Sequence, residues 1–490
     1  MNSSRLKTNG KLDLMLVFRI LFYISVLMTT TTYISHLNII LMPALFILGV
    51  VVLIKQVIIK KEYKKLPLYQ YLIIFLALSI PGAFIGIFKN IFALPLSVLL
   101  MIFASFYMFI VLAMQNNKPH IAAREIVLTA KITVYFTGVV NALGFLLFFI
   151  FRSQIWVFGQ RLLVLENRYI GMYYNPNSSG YLCFFAIVCI LLLRNKLLCK
   201  NAGVRKMKKR FALPLGIMNY VSIALSASYG AVMIILVFVC TLLTFGVIRS
   251  IIDRKIGDAV LKIGAVLAVC AMIFAVFTAC KMFASFVVSS DPLIKIEAIE
   301  PTKEQIENEL HTQDGQITFE HVNAELGSGR IDLYLKALEQ CLKSPLFGFG
   351  IGGMLLSGIR TNFCFDTFEA HNGYITLLAS VGLFAFLVVS YVVVRWFLKM
   401  LSFAVKETDK KMYGCMQICV AFLFSAFVYA LVEPSLLYYP IVSVSTLWFM
   451  LSAAFVMMKQ SKDYDGFECG RLLKKAERLL SQKFMKKSEK

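Results

Sequence analysis

A histidine and an asparagine, His371 and Asn372, directly precede a long apolar run in the stretch EAHNGYITLLASVGL. An imidazole has an ordinary pKa of about 6.5 and can take a proton from a hydroxyl at neutral pH. A side chain in this position can also cap the free backbone amides of a helix, and capping alone explains Asn372. The sequence therefore leaves two roles open for this pair, proton transfer and helix capping.

A guanidinium can bind phosphate oxygens bidentately, so arginines are candidate anion-binding residues. They occur in two other segments. The first segment, residues 152–177, contains Arg152, Arg161 and Arg168. The second, GSGRIDLYLKALEQCLKSPLFGFGIGG, has Arg330 at the start of a predicted helix. The helix dipole makes a cation unfavourable at a helix N-terminus, which suggests that Arg330 binds an anionic ligand. An ion pair with Asp332 explains its position equally well.

Membrane-spanning helices must position these residues. The chain is 59% hydrophobic with a mean hydropathy of +0.76, too apolar for a water-soluble globule of 490 residues. Only helices and closed barrels satisfy their backbone groups in a bilayer, and the solid apolar runs exclude the alternation of a barrel. The sequence predicts an all-α integral membrane protein.

Apolar runs long enough to cross the bilayer predict about twelve transmembrane helices. They are expected near residues 14–34, 37–54, 67–88, 91–114, 125–151, 178–194, 211–228, 230–248, 259–289, 371–397, 413–432 and 437–457. The polar stretch SASYG near Ser228 predicts a tight reversal or a broken helix between two of them.

Four parts follow from this pattern. Residues 1–290 form an N-terminal bundle of about nine helices, and residues 291–370 form a large extracytoplasmic loop with short helices. Residues 371–457 add about three transmembrane helices. Residues 458–490 are a basic, amphipathic cytoplasmic tail that is predicted to lie at the membrane surface or to stay solvated.

Charge predicts the orientation, since cytoplasmic loops collect Lys and Arg. Basic segments at residues 55–65, 194–210 and 249–255 place both termini in the cytoplasm of a multi-pass protein in the cytoplasmic membrane. No cleavable signal peptide is expected, because the first helix lacks a small-residue cleavage site. The net charge of +23 is explained by topology and anionic lipid, and predicts no nucleic-acid partner.

Cysteines and metal ligands give little further direction. Most of the eleven cysteines lie inside predicted helices, as small apolar residues do. Cys341 and Cys364 share the extracytoplasmic loop, and their pairing cannot be read from the sequence. No His or Cys cluster has metal-ligand spacing, so no metal is expected.

Charged residues within predicted helices have two interpretations. Arg19, Lys131 and Lys262 lie near cytoplasmic helix ends and are expected to snorkel to the interface. Glu433, in LVEPSLLYY at an extracytoplasmic helix end, is a candidate binding residue or an ordinary helix-end residue before Pro434.

Four ordered segments resemble the O-antigen ligase and Wzy-type polysaccharide polymerase family. They cover roughly residues 165–385 and read RYIGMYYNPNSSGY, LSASYGA, the Arg330 segment given above and AHNGYITLLASVGL. The first 150 residues match only as generic membrane helices.

This resemblance implies a membrane glycosyltransferase with a GT-C-like fold. Such an enzyme acts at the extracytoplasmic face on glycan carried by polyprenyl diphosphate, which is the donor substrate, and it uses no metal or other cofactor. The acceptor hydroxyl attacks the anomeric carbon of the donor sugar and the lipid diphosphate leaves. A flippase and a chain-length regulator of the same pathway are implied partners.

The resemblance also implies roles for individual residues. His371 matches the family's loop histidine and would orient or deprotonate the acceptor hydroxyl. Arg330 would neutralise charge on the leaving diphosphate. Arg168, with Asn175 and Asn177, would support the same anion or the sugar. Asn372 would hold His371 in place.

One position departs from the family pattern. Many members have Ser-Arg-Gly where this chain has Ser228, Tyr229 and Gly230, so the cation expected at the reversal is missing. Arg168 is the predicted replacement, with Arg161 and Lys281 as alternatives.

Three functions remain in contention. The preferred one is polymerisation of lipid-linked repeat units into O-antigen, capsule or exopolysaccharide. A ligase that moves finished glycan onto lipid, cell wall or protein shares the donor chemistry and differs only in acceptor. A flippase or transporter for lipid-linked oligosaccharide would make no bond, and the lack of a half-to-half repeat argues against it.

Overall fold

The structure is a computed structural model and describes residues 13–88, 90–152, 154–157, 160–165, 168–288, 328–355, 372–406, 410–433 and 440–460. Over these ranges nine helices are long and apolar enough to cross a membrane, and two shorter apolar helices accompany them. The chain is a multi-pass, mainly helical membrane protein, as its composition predicts.

The described helices include one in each of the twelve predicted ranges. They are α1 (Leu14–Met28), α2 (Asn38–Ile54), α3 (Tyr69–Ile85), α4 (Ala93–Phe106), α5 (Pro119–Phe151), α6 (Pro176–Arg194), α7 (Lys196–Asn201), α8 (Lys209–Leu225), α9 (Tyr229–Ile252), α10 (Ile256–Val288), α11 (Ser328–Lys343), α12 (Gly350–Leu355), α13 (Gly373–Lys406), α14 (Lys410–Tyr429) and α15 (Val442–Lys459). Short 3-10 or π segments extend α2, α3 and α4. Three helices are additional to these ranges: α7 and α12, of 6 residues each, and α11, of 16 residues.

The protein is mainly helical, as predicted, and the exception lies between α5 and α6, where the chain forms a three-stranded antiparallel sheet. Its strands are β1 (Ile155–Val157), β2 (Gln160–Leu165) and β3 (Arg168–Gly171), in that order. The sheet is held on the bundle by Tyr169, whose buried ring packs against Phe145 and Phe148 of α5. The sequence showed only a loop because three short strands give little periodicity to recognise.

The bundle has two chemically different ends. α5 runs from Pro119 at one end to Phe151, beside the sheet, at the other. We call the first the basic end, because the Lys- and Arg-rich segments 55–65 and 194–210 lie there, and the second the sheet end. Between them, α15 is buried along almost its whole length and contacts α1, α5, α6 and α14.

The described part of the predicted loop, residues 328–355, does not lie wholly outside the bundle. After α11, the chain enters the sheet end and α12 packs against α3, α4 and α13. A Cβ on Gly82 of α3 would collide with the backbone oxygen of Phe347, so the close approach requires glycine. At Gly382, with φ of 72°, α13 kinks beside the same segment.

α11 itself is amphipathic, but three of its leucines are exposed instead of packed against the protein. Ala337 and Cys341 pack against Ala379 of α13. The exposed residues on the helix include Leu335, Leu338 and Leu342.

The snorkelling prediction is wrong for Arg19. Its guanidinium is buried and donates to both carboxylate oxygens of Glu125 on α5, with Nη2 to Oε2 at 2.7 Å. Its Nη1 also donates to the backbone oxygen of Ile110 at 3.3 Å. The pair satisfies two charges that the apolar interior would otherwise penalise. Lys262 remains partly exposed and binds Asp258 at 2.7 Å.

Candidate functional site

The site begins at Arg168, the first residue of β3. Its Nε donates to the backbone oxygen of Ser226 at 3.0 Å, and its Nη2 donates to the side-chain oxygen of Asn177 at 3.2 Å. The burial of Tyr169, its neighbour on the strand, fixes the backbone from which Arg168 projects. The guanidinium is therefore directed at the junction of α6 with the α8–α9 reversal.

Asn177 connects three parts of this junction. It lies in the first turn of α6, where Asn175 is the N-cap and accepts from the Asn177 backbone amide at 2.7 Å. The side-chain oxygen of Asn177 accepts from Ser228 Oγ at 3.1 Å as well as from Arg168. Its amide nitrogen donates to Glu433 Oε1 at 2.9 Å. The Asn177 side chain thus forms hydrogen bonds, as donor and as acceptor, with residues that are far apart in sequence.

The segment SASYG forms a tight reversal, which was one of the two predicted outcomes. α8 ends at Leu225, Ala227 adopts a positive φ of 48°, and Ser228 is the N-cap of α9. The buried Ser228 hydroxyl accepts from the Ala231 amide at 3.3 Å while it donates to Asn177. The cap therefore also fixes a polar group of the site.

Tyr229 brings a second cation to the reversal. Its hydroxyl accepts from Lys281 Nζ of α10 at 2.9 Å, and the same ammonium lies 5.2 Å from the centre of the tyrosine ring. Both side chains are exposed. The reversal thus carries a tyrosine that binds a lysine, and Arg168 binds the backbone oxygen of Ser226 in the same segment. Of the third alternative, Arg161, only the position on β2 is described.

Asn372 is a helix cap, as the structural interpretation predicts. Its side-chain oxygen accepts from the amides of Tyr374 and Ile375 at 3.0 and 3.1 Å. Its amide nitrogen donates to the backbone oxygen of Leu431 at 3.1 Å. This contact ties the start of α13 to the turn that carries Glu433. His371 lies outside the described residues.

Tyr334 joins α11 to the same turn and was not predicted as a site residue. Its hydroxyl donates to the Leu431 backbone oxygen at 3.1 Å, the acceptor that Asn372 also uses. Arg330 lies one helical turn before Tyr334, in the first turn of α11. The four-residue spacing puts both on one helix face, which is the sequence signal that could have identified Tyr334.

The described site is cationic with one carboxylate. Arg168 and Lys281 supply positive charge, and Glu433 supplies the carboxylate, hydrogen-bonded to Asn177. Such a set can bind an anion and orient a polar substrate. Burial raises the pKa of the Cys341 thiol on α11 to about 11, which favours the protonated thiol at neutral pH. Cys364 lies outside the described residues, so its pairing with Cys341 stays a prediction. Among the described side chains, no cluster of three or more His, Cys, Asp or Glu could hold a metal ion.

An apolar groove of about 290 Å³ adjoins the site between α13, α14 and α15. Tyr374, two residues after Asn372, lines it nearest the sheet end, and Trp396 and Trp448 line it deeper in the bundle. Val394 and Phe424 are lining residues that remain exposed, so the groove opens on the flank of the bundle. No single sequence segment indicates this groove, since three helices form it.

Comparison with known protein families found no matching family model, and comparison with curated proteins found no match. The site geometry and the membrane-spanning helices are therefore the basis for a functional proposal.

Proposed function

We propose that the protein is a polymerase of surface polysaccharide, acting at the extracytoplasmic face of the cytoplasmic membrane. It transfers glycan from a polyprenyl diphosphate donor to a sugar hydroxyl of the acceptor. The observation that carries this proposal is Asn177, which binds Arg168, Ser228 and Glu433 from three other segments at one end of the bundle. Residues singled out for diphosphate or sugar binding thus converge.

In the proposed reaction the acceptor oxygen bonds to the anomeric carbon as the bond from that carbon to the diphosphate oxygen breaks. The acceptor proton passes to His371, and the electron pair of the broken bond leaves with the diphosphate. Arg168, Lys281 and Arg330 stabilise the charge on the leaving group, the kind of electrostatic stabilisation that contributes most to many enzymes. Asn177 and Glu433 orient a sugar hydroxyl.

The apolar groove supports a lipid-linked donor. It starts beside Asn372, follows α13 into the bundle, and opens on the flank where bilayer lipid would lie. A polyprenyl chain in this groove would bury apolar surface while its diphosphate reached the cations at the sheet end. The exposed leucines of α11 fit a helix lying along the membrane surface above the site.

The proposed orientation follows from the two ends of the bundle. The Lys- and Arg-rich segments at the basic end favour the cytoplasm, which puts the sheet end and its site outside. Both termini are then cytoplasmic.

The test is glycan chain length in a host that lacks its own polymerase but supplies the matching lipid-linked repeat unit. Wild type should produce a ladder of long chains, and His371→Ala, Arg330→Ala and Arg168→Ala should abolish it at equal membrane abundance. Arg152→Ala is the matched control, because Arg152 is a sheet-end cation whose Nε donates to its own helix at Phe149. Transfer of single units to another acceptor would point to a ligase. Unchanged ladders in the three site variants would overturn the proposal.

A further inference from the structure

A second polar cavity lies at the basic end, across the bundle from the candidate site. Its volume is about 300 Å³. It is lined by Lys65, Gln115, Asn116, Asn117, Pro119, Val456, Lys459 and Gln460. These residues come from the segment before α3, the 3-10 turn after α4, the start of α5 and the end of α15, so the cavity is built by tertiary contacts.

The cavity carries positive charge. Lys65 and Lys459 line it, whereas none of the described lining residues is a carboxylate. Lys459 Nζ is fixed by the backbone oxygen of Gln115 and the side-chain oxygen of Asn116, both at 3.3 Å. Lys65 binds Glu62 at 2.8 Å on the exposed rim. Pro119 places the N-terminus of the long helix α5 at the wall, where the helix dipole adds to the attraction for anions.

Several amide groups of the lining have no hydrogen-bond partner among the described residues. Gln115 is only 3% exposed, and neither its side-chain oxygen nor its nitrogen is paired. The buried side-chain nitrogens of Asn116, Asn117 and Gln460 are also unpaired. Leaving a buried polar group unsatisfied costs about 1–3 kcal/mol, so four such donors on residues that line one cavity indicate a missing acceptor nearby.

We propose that this cavity binds a phosphate-type oxyanion at the basic end, which is the cytoplasmic side in the orientation proposed above. A phosphate group presents several acceptor oxygens at once, which matches ammonium and amide donors arranged around a single cavity. The phosphate can belong to a soluble phosphorylated compound or to the headgroup of an anionic lipid, since basic pockets between transmembrane helices bind both. The site is independent of the proposed glycan transfer at the sheet end.

The experiment measures thermal unfolding of the full chain in nanodiscs at constant ionic strength. In phosphatidylcholine nanodiscs, inorganic phosphate substituted for chloride should raise the unfolding midpoint of wild type saturably. In a second arm without phosphate, phosphatidylglycerol added to the nanodiscs tests the lipid source. Lys459→Gln removes one charged donor. In whichever arm responds, it should raise the half-saturating concentration about tenfold or more.

Two further variants separate binding from folding. Gln115→Leu removes an amide that has no described partner, so the midpoint without phosphate should not fall while the response to phosphate is lost. Lys64→Gln is the charge-matched control, because exposed Lys64 is next to Lys65 and does not line the cavity. The proposal is overturned if wild type responds in neither arm, or if Lys459→Gln and Gln115→Leu respond as wild type does.

Discussion

Two arginines in this protein are held in opposite ways. Arg19, inside the bundle, donates to both oxygens of the Glu125 carboxylate, and both side chains are almost fully buried. Arg168, at the sheet end, is half-buried and binds the backbone oxygen of Ser226 and the amide oxygen of Asn177. The first arrangement pairs two opposite charges within the apolar interior, and the second joins a partly exposed cation to a hydrogen-bonded group of polar residues.

The difference shows which cation belongs to the architecture and which to the site. An apolar interior tolerates a guanidinium only when it is paired and hydrogen-bonded, so Arg19 and Glu125 each require the other between α1 and α5. At the edge of the bundle Arg168 is only half-buried, so water can reach it, and its hydrogen bonds to Ser226 and Asn177 fix its direction. The predictions below test this contrast.

The largest effect is expected in the bundle. Arg19→Met leaves Glu125 buried without its partner and should lower the free energy of unfolding by about 3–5 kcal/mol. The double variant Arg19→Met/Glu125→Leu removes both charges and should recover most of that loss. Unfolding in detergent, with membrane abundance as a second readout, measures both. A double variant as unstable as the single one would show that the pair does not act as a unit.

A slightly smaller effect, on rate instead of stability, is expected at the site. Arg168→Ala should lower the initial rate of glycan transfer about 100- to 1,000-fold, as loss of one electrostatic donor commonly does. Its unfolding should change little compared with Arg19→Met. Arg168→Lys should recover part of the rate, because it keeps the charge without the fork of donors. If a loss of stability accounts for the lost activity, Arg168 has a structural role like that of Arg19.

A third substitution tests residues 345–355, the segment that enters the bundle beside α3. Gly82→Ala puts a Cβ against the backbone oxygen of Phe347 and should destabilise the protein by about 1–3 kcal/mol through overpacking. Gly216→Ala on α8 is the matched control, because a Cβ there meets nothing within 4 Å. The control should be neutral or slightly stabilising, since alanine favours helix more than glycine. Equal effects in the two variants would contradict the wedged position of residues 345–355.

The smallest effect is expected at Tyr334. Tyr334→Phe removes the hydrogen bond to the Leu431 oxygen and should cost about 0.5–1.5 kcal/mol in the docking of α11. If α11 positions Arg330 over the site, the apparent affinity for donor should fall several-fold while unfolding of the bundle stays unchanged. If the dependence of the transfer rate on donor concentration is unaltered, α11 does not contribute to donor binding.

Much of the site was predictable residue by residue. Asn175 and Asn177 were implied by the resemblance, whereas Ser228 lay in a predicted reversal and Glu433 at a predicted helix end. The structure joins all four directly or through Asn177. Asn372 was predictable as a cap because capping depends on residues adjacent in sequence. Tyr334 was missed although its spacing from Arg330 is a sequence signal, and Lys281 was named only as an alternative cation. Contacts between distant helices placed both residues.

The sequence by itself determined the membrane class, a helix in every predicted span and the local caps, because hydropathy, span length and capping act over a few neighbouring residues. Only the tertiary structure decided that Arg19 pairs with Glu125, that residues 155–171 form a sheet, and that residues 345–355 enter the bundle. These outcomes depend on which groups helices bring together across more than a hundred residues. In a low-dielectric interior that proximity determines whether a charge is paired, exposed or left to bind a ligand.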